Sequence, residues 1–377
     1  MKLQDEEIYH RDALARTYVD LLQTSYASSG VFLAAPRRTG KTTFIKEDLN
    51  PLLATEGALV IYVDLWEDKA VDPAKVVIEG IRKAILGLEG MVLKGAKASG
   101  LTRFKVVGFE MDLAAIGTPD GMTISAALQV LSKMARKPIF LVIDEAQHAQ
   151  TTEAGRAMLF ALKAARDALM LDRSLFGFRL LATGSNSDKL TALINSKDQA
   201  FYKAPLEQLE PLGDDYLAWL RKTRGRQPMP AKGVLKQGFE RMGHRPEPLK
   251  GVLKDLLKRS PGAAQADIDA QFLSLVEASL EADRDLFLRS IEGRDPLDAA
   301  VLFRMAKVDK FAPFDEASME SYRRARTARS PDDDTPISKS SVQSALERLR
   351  KDGLVWNHGR GAWVIEDSQH AAWLRSS

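Results

Sequence analysis

Four short runs of apolar residues alternate with stretches of helical periodicity in the first part of the chain. These runs are rich in valine, isoleucine and leucine and span 31–34, 58–65, 138–144 and 178–184. A run that is apolar at every position is typical of a strand buried on both faces, as in a parallel sheet covered by helices. We therefore predict an α/β fold built on a parallel sheet.

The sequence changes character after Pro211, because helical spacing continues from there without β-branched runs. Within the core, residues 104–113 alternate apolar and polar side chains, which favours an inserted antiparallel ribbon. We predict four parts in chain order: a helical segment 1–29, an α/β core 30–210, a helical domain 211–294 and a C-terminal domain 295–377.

Composition limits the classes of function. The 377 residues are 45% apolar and 28% charged, which is enough for several packed domains. Because 54 basic and 51 acidic residues leave a net charge of only +3, any contact with DNA must be local. The absence of cysteine excludes a disulfide framework and thiolate chemistry. No apolar run approaches the roughly 20 residues that cross a bilayer, and the N-terminus is acidic, so we expect a soluble cytoplasmic protein without a membrane partner.

A basic segment follows the first predicted strand and precedes a predicted helix. Its residues are Ala35, Pro36, Arg37, Arg38, Thr39, Gly40, Lys41, Thr42 and Thr43. In this context, consecutive backbone N–H groups and a helix N-terminus form a cradle for a polyphosphate. Gly40 lets the backbone approach closely, Lys41 is placed to reach the β- and γ-phosphates, and the hydroxyl of Thr42 is placed to ligate Mg²⁺. We predict a site for ATP and Mg²⁺ in this loop.

Polar residues follow the third and fourth apolar runs. Asp144 and Glu145 end the third run, where the first would hold the metal and the second would polarise the attacking water. After the fourth run, Ser185 and Asn186 are our joint candidates for side chains that report on the γ-phosphate. Arg245 precedes a predicted helix, and it would either reach the phosphates or be a solvated arginine at a helix start.

Together, the segments 35–43, 144–145, 183–186 and 243–246 resemble the AAA+ ATPases, in particular the branch close to the STAND and origin-recognition-like ATPases. The resemblance implies a five-stranded parallel sheet with a helical lid, ATP and ADP as ligands, and Glu145 as catalytic base. It further implies Ser185 or Asn186 as the first sensor and Arg245 as the second. A nucleotide-dependent homo-oligomer is compatible with it.

The resemblance also implies an arginine acting in trans, but residues 186–220 contain no arginine. Arg166, Arg173 or a lysine such as Lys189 would have to substitute for it. If none does, turnover should be slow and the nucleotide should act more as a switch than as a fuel.

The C-terminal part resembles a winged helix. We predict a helix over 297–308, a basic irregular stretch over 322–336, a helix over 338–351 and a hairpin. In a DNA-bound mode, the face toward the major groove would carry Glu347 and the candidate contacts Lys339, Ser340, Gln343 and Arg350, with Arg360 at the wing tip. The 13 basic and 12 acidic residues of 297–377 leave contact with a protein partner open as well.

Three functions follow from these observations. The first is an ATPase whose nucleotide state controls the engagement of double-stranded DNA through the winged helix, and the second is a STAND-like signalling or scaffold switch that acts on a protein partner. The third is a helicase, because the segment 144–147 also resembles the DEAD-like helicases. A helicase needs a second RecA-like domain, which the helical sequence after Pro211 does not predict.

Overall fold

The structure, a computed structural model, describes residues 8–68, 70–92, 103–106, 109–118, 120–185, 190–225, 227–260, 262–329, 336–357 and 363–377. The chain divides into two compact units, Met1–Leu212 and Gly213–Ser377. Within the described ranges, no helix combines the length and the hydropathy that crossing a membrane requires.

The first unit contains a parallel sheet of five strands, which confirms the predicted α/β class. The strands of this unit are β1 (Val31–Ala34), β2 (Leu59–Asp64), β3 (Arg103–Val106), β4 (Phe109–Asp112), β5 (Ile139–Asp144), β6 (Phe178–Gly184) and β7 (Leu206–Gln208). The sheet has the order β2, β5, β6, β1, β7, and all its pairings are parallel. No apolar run predicted β7, because this short edge strand is only partly buried.

Helices cover both faces of this sheet. They are α1 (Asp12–Gln23), α2 (Lys41–Thr43), α3 (Asn50–Thr55), α4 (Pro73–Val92), α5 (Ile124–Ala135) and α6 (Glu153–Leu171). The wider helical turns of Phe44–Leu49 join α2 to α3. Thr123 and Thr152 cap α5 and α6, since each side chain accepts a backbone N–H of the first turn.

Successive residues of a strand point to opposite faces, and the core follows that alternation. Leu141 and Ile143 pack in a cluster with α4, α5 and α6, whereas Phe140 and Val142 pack in a second cluster with α1 and Phe44. All six residues of β5 are buried. Its uniform apolar sequence therefore reflects burial on both faces of the sheet.

A separate two-stranded antiparallel sheet pairs β3 with β4. It occupies the segment for which alternation favoured an inserted ribbon. Residues 107 and 108, which join the two strands, lie outside the described residues.

The second unit is mostly helical. Its helices are α7 (Asp214–Thr223), α8 (Lys232–Arg241), α9 (Pro246–Arg259), α10 (Gln265–Glu292), α11 (Pro296–Lys307), α12 (Glu316–Arg329), α13 (Lys339–Lys351) and α14 (Ser368–Arg375). Strands β8 (Val355–Asn357) and β9 (Trp363–Ile365) form an antiparallel hairpin. The described part of this unit contains no parallel sheet, so it offers no second RecA-like domain for a helicase.

The predicted irregular stretch over 322–336 is wrong for residues 322–329, which belong to α12. Tyr322 is fully buried in the core of the second unit, and Met319 is buried beside it. On the exposed side of the helix, Arg324 Nε lies 3.0 Å from Glu320 Oε1. Tertiary burial of two side chains stabilises a helix whose sequence is too polar to show an apolar period.

Candidate nucleotide-binding site

The loop between β1 and α2 has the backbone pattern of an anion-binding nest. Its first residue, Ala35, donates its N–H to the carbonyl oxygen of Gly184 in the neighbouring β6, at 3.1 Å. Arg38 and Gly40 adopt the left-handed conformation, with φ of 64° and 91°. The Thr39 hydroxyl donates to the carbonyl of Pro36 at 2.7 Å and closes the turn. Left-handed residues interspersed in such a loop direct successive N–H groups toward one concavity.

Lys41 lies at the centre of the site and is buried. Its Nζ donates to Glu145 Oε1 at 2.7 Å and also contacts Asp144 Oδ1. Thr42 Oγ1 donates to Asp144 Oδ2 at 2.9 Å. Because β6 separates β1 from β5, the lysine reaches the two acids alongside Thr183 of β6, whose hydroxyl donates to Asp144. The loop and the paired acids therefore meet at the carboxyl edge of the sheet.

The lysine sets the ionisation of both acids. Burial by itself raises the pKa of Asp144 and of Glu145, but the Lys41 ammonium, together with hydrogen bonds from neighbouring side chains, outweighs that effect and holds both pKa values below their ordinary range. Hydrogen bonds from Thr183 and Thr42 act in the same direction on Asp144. Both carboxylates are therefore ionised at neutral pH.

Glu145 is held in a defined orientation. Its backbone is left-handed, with φ of 53°, which is a strained conformation for a residue with a side chain. Its Oε2 accepts from Gln147 Nε2 at 2.6 Å and from Ser185 Oγ at 3.0 Å, while Oε1 accepts from Lys41. Three donors thus fix the carboxylate beside the loop.

The two hard oxygen ligands that the sequence suggested for a metal are adjacent. The Thr42 hydroxyl and the Asp144 carboxylate lie within hydrogen-bond distance of each other, next to the phosphate loop. Hydroxyl and carboxylate oxygens are the ligands that Mg²⁺ prefers. These two residues therefore fit a magnesium ion.

The remaining predicted residues lie in different places. Ser185 is part of the site through Glu145, whereas Asn186 is outside the described residues. Arg245 belongs to the second unit, where its Nη1 donates to Gln369 Oε1 at 2.8 Å and its Nη2 lies 3.6 Å from Asp367 Oδ2. Its predicted role at the phosphates stays a prediction.

Three residues of the site received no role from the sequence, although two of them lie within the segments 183–186 and 144–147 that carry the resemblances. Besides Thr183, these are Gln147, which is fully buried, and Tyr62, whose hydroxyl donates to Asp144 Oδ2 at 3.2 Å. Burial raises the pKa of Tyr62, so this hydroxyl stays protonated. Each of the three could have been found as a polar side chain within or next to an apolar run. Thr183 lies near the end of β6, Tyr62 lies in β2, and Gln147 follows the paired acids.

The predicted DNA-binding face can be located on α13. Ser338 and Ser341 form a capping box at its start, and Lys339, Ser340 and Gln343 are exposed. Along the helix, Arg350 Nε lies 2.8 Å from Glu347 Oε2 and Gln343 Nε2 donates to Glu347 Oε1 at 3.3 Å. Arg348 pairs with the buried Asp298. Arg360 lies outside the described residues.

Comparisons with known proteins identify the fold. No family model and no curated protein matches the sequence. Among solved structures, the Walker-type ATPase of Pyrococcus abyssi is similar over 98% of this chain and 96% of that chain, at 16% identity and a TM-score of 0.54. The ADP form of the ORC2 protein of Aeropyrum pernix is similar over 100% and 96%, at 13% identity and a TM-score of 0.54.

A further structure of the Aeropyrum pernix ORC2 protein, with ADPNP and ADP, gives a TM-score of 0.50 at 14% identity, over 97% of this chain and 90% of that chain. The chain thus has the fold of the origin-recognition-like AAA+ P-loop ATPases. This confirms the resemblance seen in the sequence, at the level of fold.

Proposed function

We propose that this chain binds and hydrolyses ATP with Mg²⁺, and that its nucleotide state controls the engagement of DNA by the C-terminal part. The observation that supports the ATPase most directly is the convergence of Lys41, Thr42, Asp144 and Glu145 at one edge of a parallel sheet. The ADP form of a solved protein with the same fold supports a nucleotide as the ligand.

The loop and its lysine would bind the phosphates. The loop amides and Lys41 offer positive charge and N–H donors, whereas the two acids next to them repel a triphosphate. A phosphate oxygen that takes over the Lys41 ammonium releases Glu145 Oε1 from its ion pair. Phosphate binding and release of the base are thereby one event.

Thr42 and Asp144 would hold the magnesium ion. When bound, Mg²⁺ neutralises charge on the β- and γ-phosphates. The lowered pKa of Asp144 keeps its carboxylate available as a ligand at neutral pH. Thr183 and Tyr62 donate hydrogen bonds to the same carboxylate and hold its orientation.

Glu145 would act as the general base on the attacking water. Its lowered pKa keeps it ionised, and Gln147 and Ser185 hold its second oxygen while Lys41 moves to the phosphates. A base held by side chains from two elements is oriented before the water arrives.

Two variants test the ATPase. Lys41→Ala should weaken binding of a fluorescent ATP analogue about 10- to 100-fold, because it removes a charge-assisted hydrogen bond. Glu145→Gln should retain binding and lower phosphate release about 10²- to 10⁴-fold. Lys137→Ala is the control, since it removes the same charge from an exposed position before the amino end of β5, at the opposite end of that strand from Asp144. Unchanged nucleotide affinity in Lys41→Ala would contradict the assignment.

DNA engagement is proposed from the helix and hairpin of the second unit. The exposed start of α13 carries one positive charge, at Lys339, with Ser340 and Gln343 beside it. A helix of this kind, followed by a hairpin, places polar side chains in the major groove and basic ones on phosphates. The four parts predicted from the sequence remain part of this proposal, with 211–294 as the lid and 295–377 as the winged helix.

A gel-shift assay with double-stranded DNA at two salt concentrations tests this part. Binding should weaken steeply with salt and differ between the ATP-analogue and ADP states. Lys339→Ala should lower affinity and reduce the salt slope by about one. Lys310→Ala is the control, because it removes an equal charge from an exposed position outside α13. Equal losses in both variants would refute a specific role for α13.

Contact with a protein partner is the alternative. It is favoured by Glu347, which pairs with Arg350 and accepts from Gln343 and so reduces the positive character of the face that DNA would meet. Under this alternative, a folded protein that binds ATP should show no gel shift even at low salt.

A further inference from the structure

Arg37 is held on the acid side of the phosphate loop. Its guanidinium lies over the ring of Trp66, 4.7 Å from the ring centroid, and its Nε donates to Ser185 Oγ at 3.4 Å. The same serine hydroxyl donates to Glu145 Oε2 at 3.0 Å. A single hydroxyl therefore separates the guanidinium from the carboxylate proposed as the base.

Trp66 is itself held in place. It lies two residues after the end of β2, and its ring packs edge to face against the ring of His148, with centroids 4.2 Å apart and planes at 82°. His148 belongs to the short helical turn that begins just after Glu145. The arginine is thus stacked on a surface built from the ends of β2 and β5, and stacking of a guanidinium on an indole is favourable.

Arg38 provides a contrast within the same loop. It follows Arg37 in sequence and carries the same charge, but its side chain is exposed and its backbone is left-handed. Of the two loop arginines, the structure directs Arg37 toward the acids.

We propose that Arg37 is a catalytic residue that places a positive charge beside the γ-phosphate from within the same chain. It would thereby replace the arginine that residues 186–220 do not contain. The proposal rests on the proposed ATPase function. A phosphate that contacts Lys41 Nζ lies next to Glu145, because that lysine is 2.7 Å from Glu145 Oε1. Arg37 approaches the same carboxylate from the side of Ser185, so the γ-phosphate would lie between a lysine and an arginine of one chain.

The chemical step balances without further reactants. Water attacks the γ-phosphorus while Glu145 accepts one of its protons, and the bond between the γ-phosphorus and the bridging oxygen breaks. The electron pair of that bond remains on the β-phosphate oxygen, giving ADP and inorganic phosphate, and Glu145 returns the proton to solvent. Arg37 would donate to the γ-phosphate oxygens as charge moves during the transfer, which is where a fixed cation accelerates the reaction.

The test measures ATP affinity and turnover separately. Arg37→Ala should keep the ATP dissociation constant within about threefold and lower kcat about 10²- to 10³-fold, as for loss of one preorganised donor. Arg37→Gln, which keeps a polar side chain of similar reach, should lose kcat comparably. Arg16→Ala is the control, because it removes the same charge from an exposed position on α1 outside the loop, and it should retain kcat. A wild-type protein that neither binds nor hydrolyses ATP would refute the proposed function itself, whereas full turnover in both Arg37 variants would refute only this inference.

Two further measurements separate a catalytic role in cis from other roles. An equimolar mixture of Arg37→Ala and Glu145→Gln should stay inactive, since neither chain has a complete site; recovered turnover would show that Arg37 acts across a subunit interface. Trp66→Ala should lower kcat and Trp66→Phe should restore it, because phenylalanine keeps an aromatic face for stacking. Loss of ATP affinity with unchanged kcat in Arg37→Ala would assign the residue to ground-state binding and overturn the proposal.

Discussion

Replacing Lys41 with methionine should change both the stability of the protein without nucleotide and its pH dependence. Methionine keeps the unbranched shape of lysine but removes the charge that faces Asp144 and Glu145. The side chain of Asp144 is 1% exposed and that of Glu145 is 16% exposed, so water cannot replace the lost ammonium. The variant therefore has a buried and a mostly buried carboxylate next to each other, with no cation between them.

Breaking a buried ion pair costs about 3–5 kcal/mol. We expect a value near the lower limit, about 3 kcal/mol, because three hydroxyl groups still donate to Asp144. With a denaturant dependence of about 3 kcal/mol per molar, the urea midpoint should fall by about 1 M at pH 7. Lys137→Met, at an exposed position before β5, should leave the midpoint within a few tenths of a molar.

The pH dependence gives the sharper result. In the folded wild type, the pKa values of Asp144 and Glu145 lie below their ordinary values of 3.8 and 4.5. The free energy of unfolding that these two groups contribute is therefore fully present above pH 4.5 and is lost only as the pH falls below it. In Lys41→Met, burial is no longer outweighed and raises at least one folded pKa above its ordinary value. Stability should then fall as the pH rises above 4.5, by at most about 1.4 kcal/mol per unit and per group.

Urea unfolding followed by circular dichroism at pH 5, 6 and 7 measures both effects. The double variant Lys41→Met with Asp144→Asn should regain most of the lost stability at pH 7, because it removes the more deeply buried charge. If Lys41→Met is as stable as the wild type, or if its stability does not depend on pH between 5 and 7, the lysine is not what keeps the two acids ionised.

Three other substitutions test separate parts of the structure. Gly184→Ala should destabilise the first unit by about 1–3 kcal/mol in urea, because its Cβ would lie 2.5 Å from Gln147 Oε1. The hydrogen bond that His10 Nδ1 donates to Asp48 Oδ1 raises the pKa of His10. The stability from this pair is therefore fully present below pH 6.5 and is lost as the pH rises through the raised pKa. Thermal melts across pH 5–8 should show that loss in the wild type and not in His10→Gln. Asp298→Ala should lower the melting temperature of the second unit, with a cost of about 1–3 kcal/mol, because the buried carboxylate accepts two hydrogen bonds from Arg348; an unchanged melt would mean that the pair contributes nothing.

Much of the fold and the centre of the site were predictable because their signals are local. A strand covered on both faces must be apolar at nearly every position, and that requirement made β1, β2, β5 and β6 visible as runs. The loop between β1 and α2 is one contiguous segment, since the phosphate binding proposed for it depends on successive amides of the backbone. The paired acids stand directly at the end of a buried strand, where a charge is conspicuous.

Other features depend on residues that are distant in the chain and adjacent only after folding. The sequence contains no sign that β6 lies between β1 and β5, and that order is what places Thr183 against Lys41 and Asp144. The edge strand β7 and the polar helix α12 were missed or predicted wrongly, because each is stabilised by what packs against it.

The same reason applies to Arg37. By sequence it is one of two equivalent arginines in a basic loop, and only the positions of Trp66 and Ser185 distinguish it from Arg38. The sequence alone determined the loop proposed to bind phosphate and the acid pair, because each is a contiguous piece of chain. The tertiary structure decided which side chains surround them, because that depends on the order of strands in the sheet.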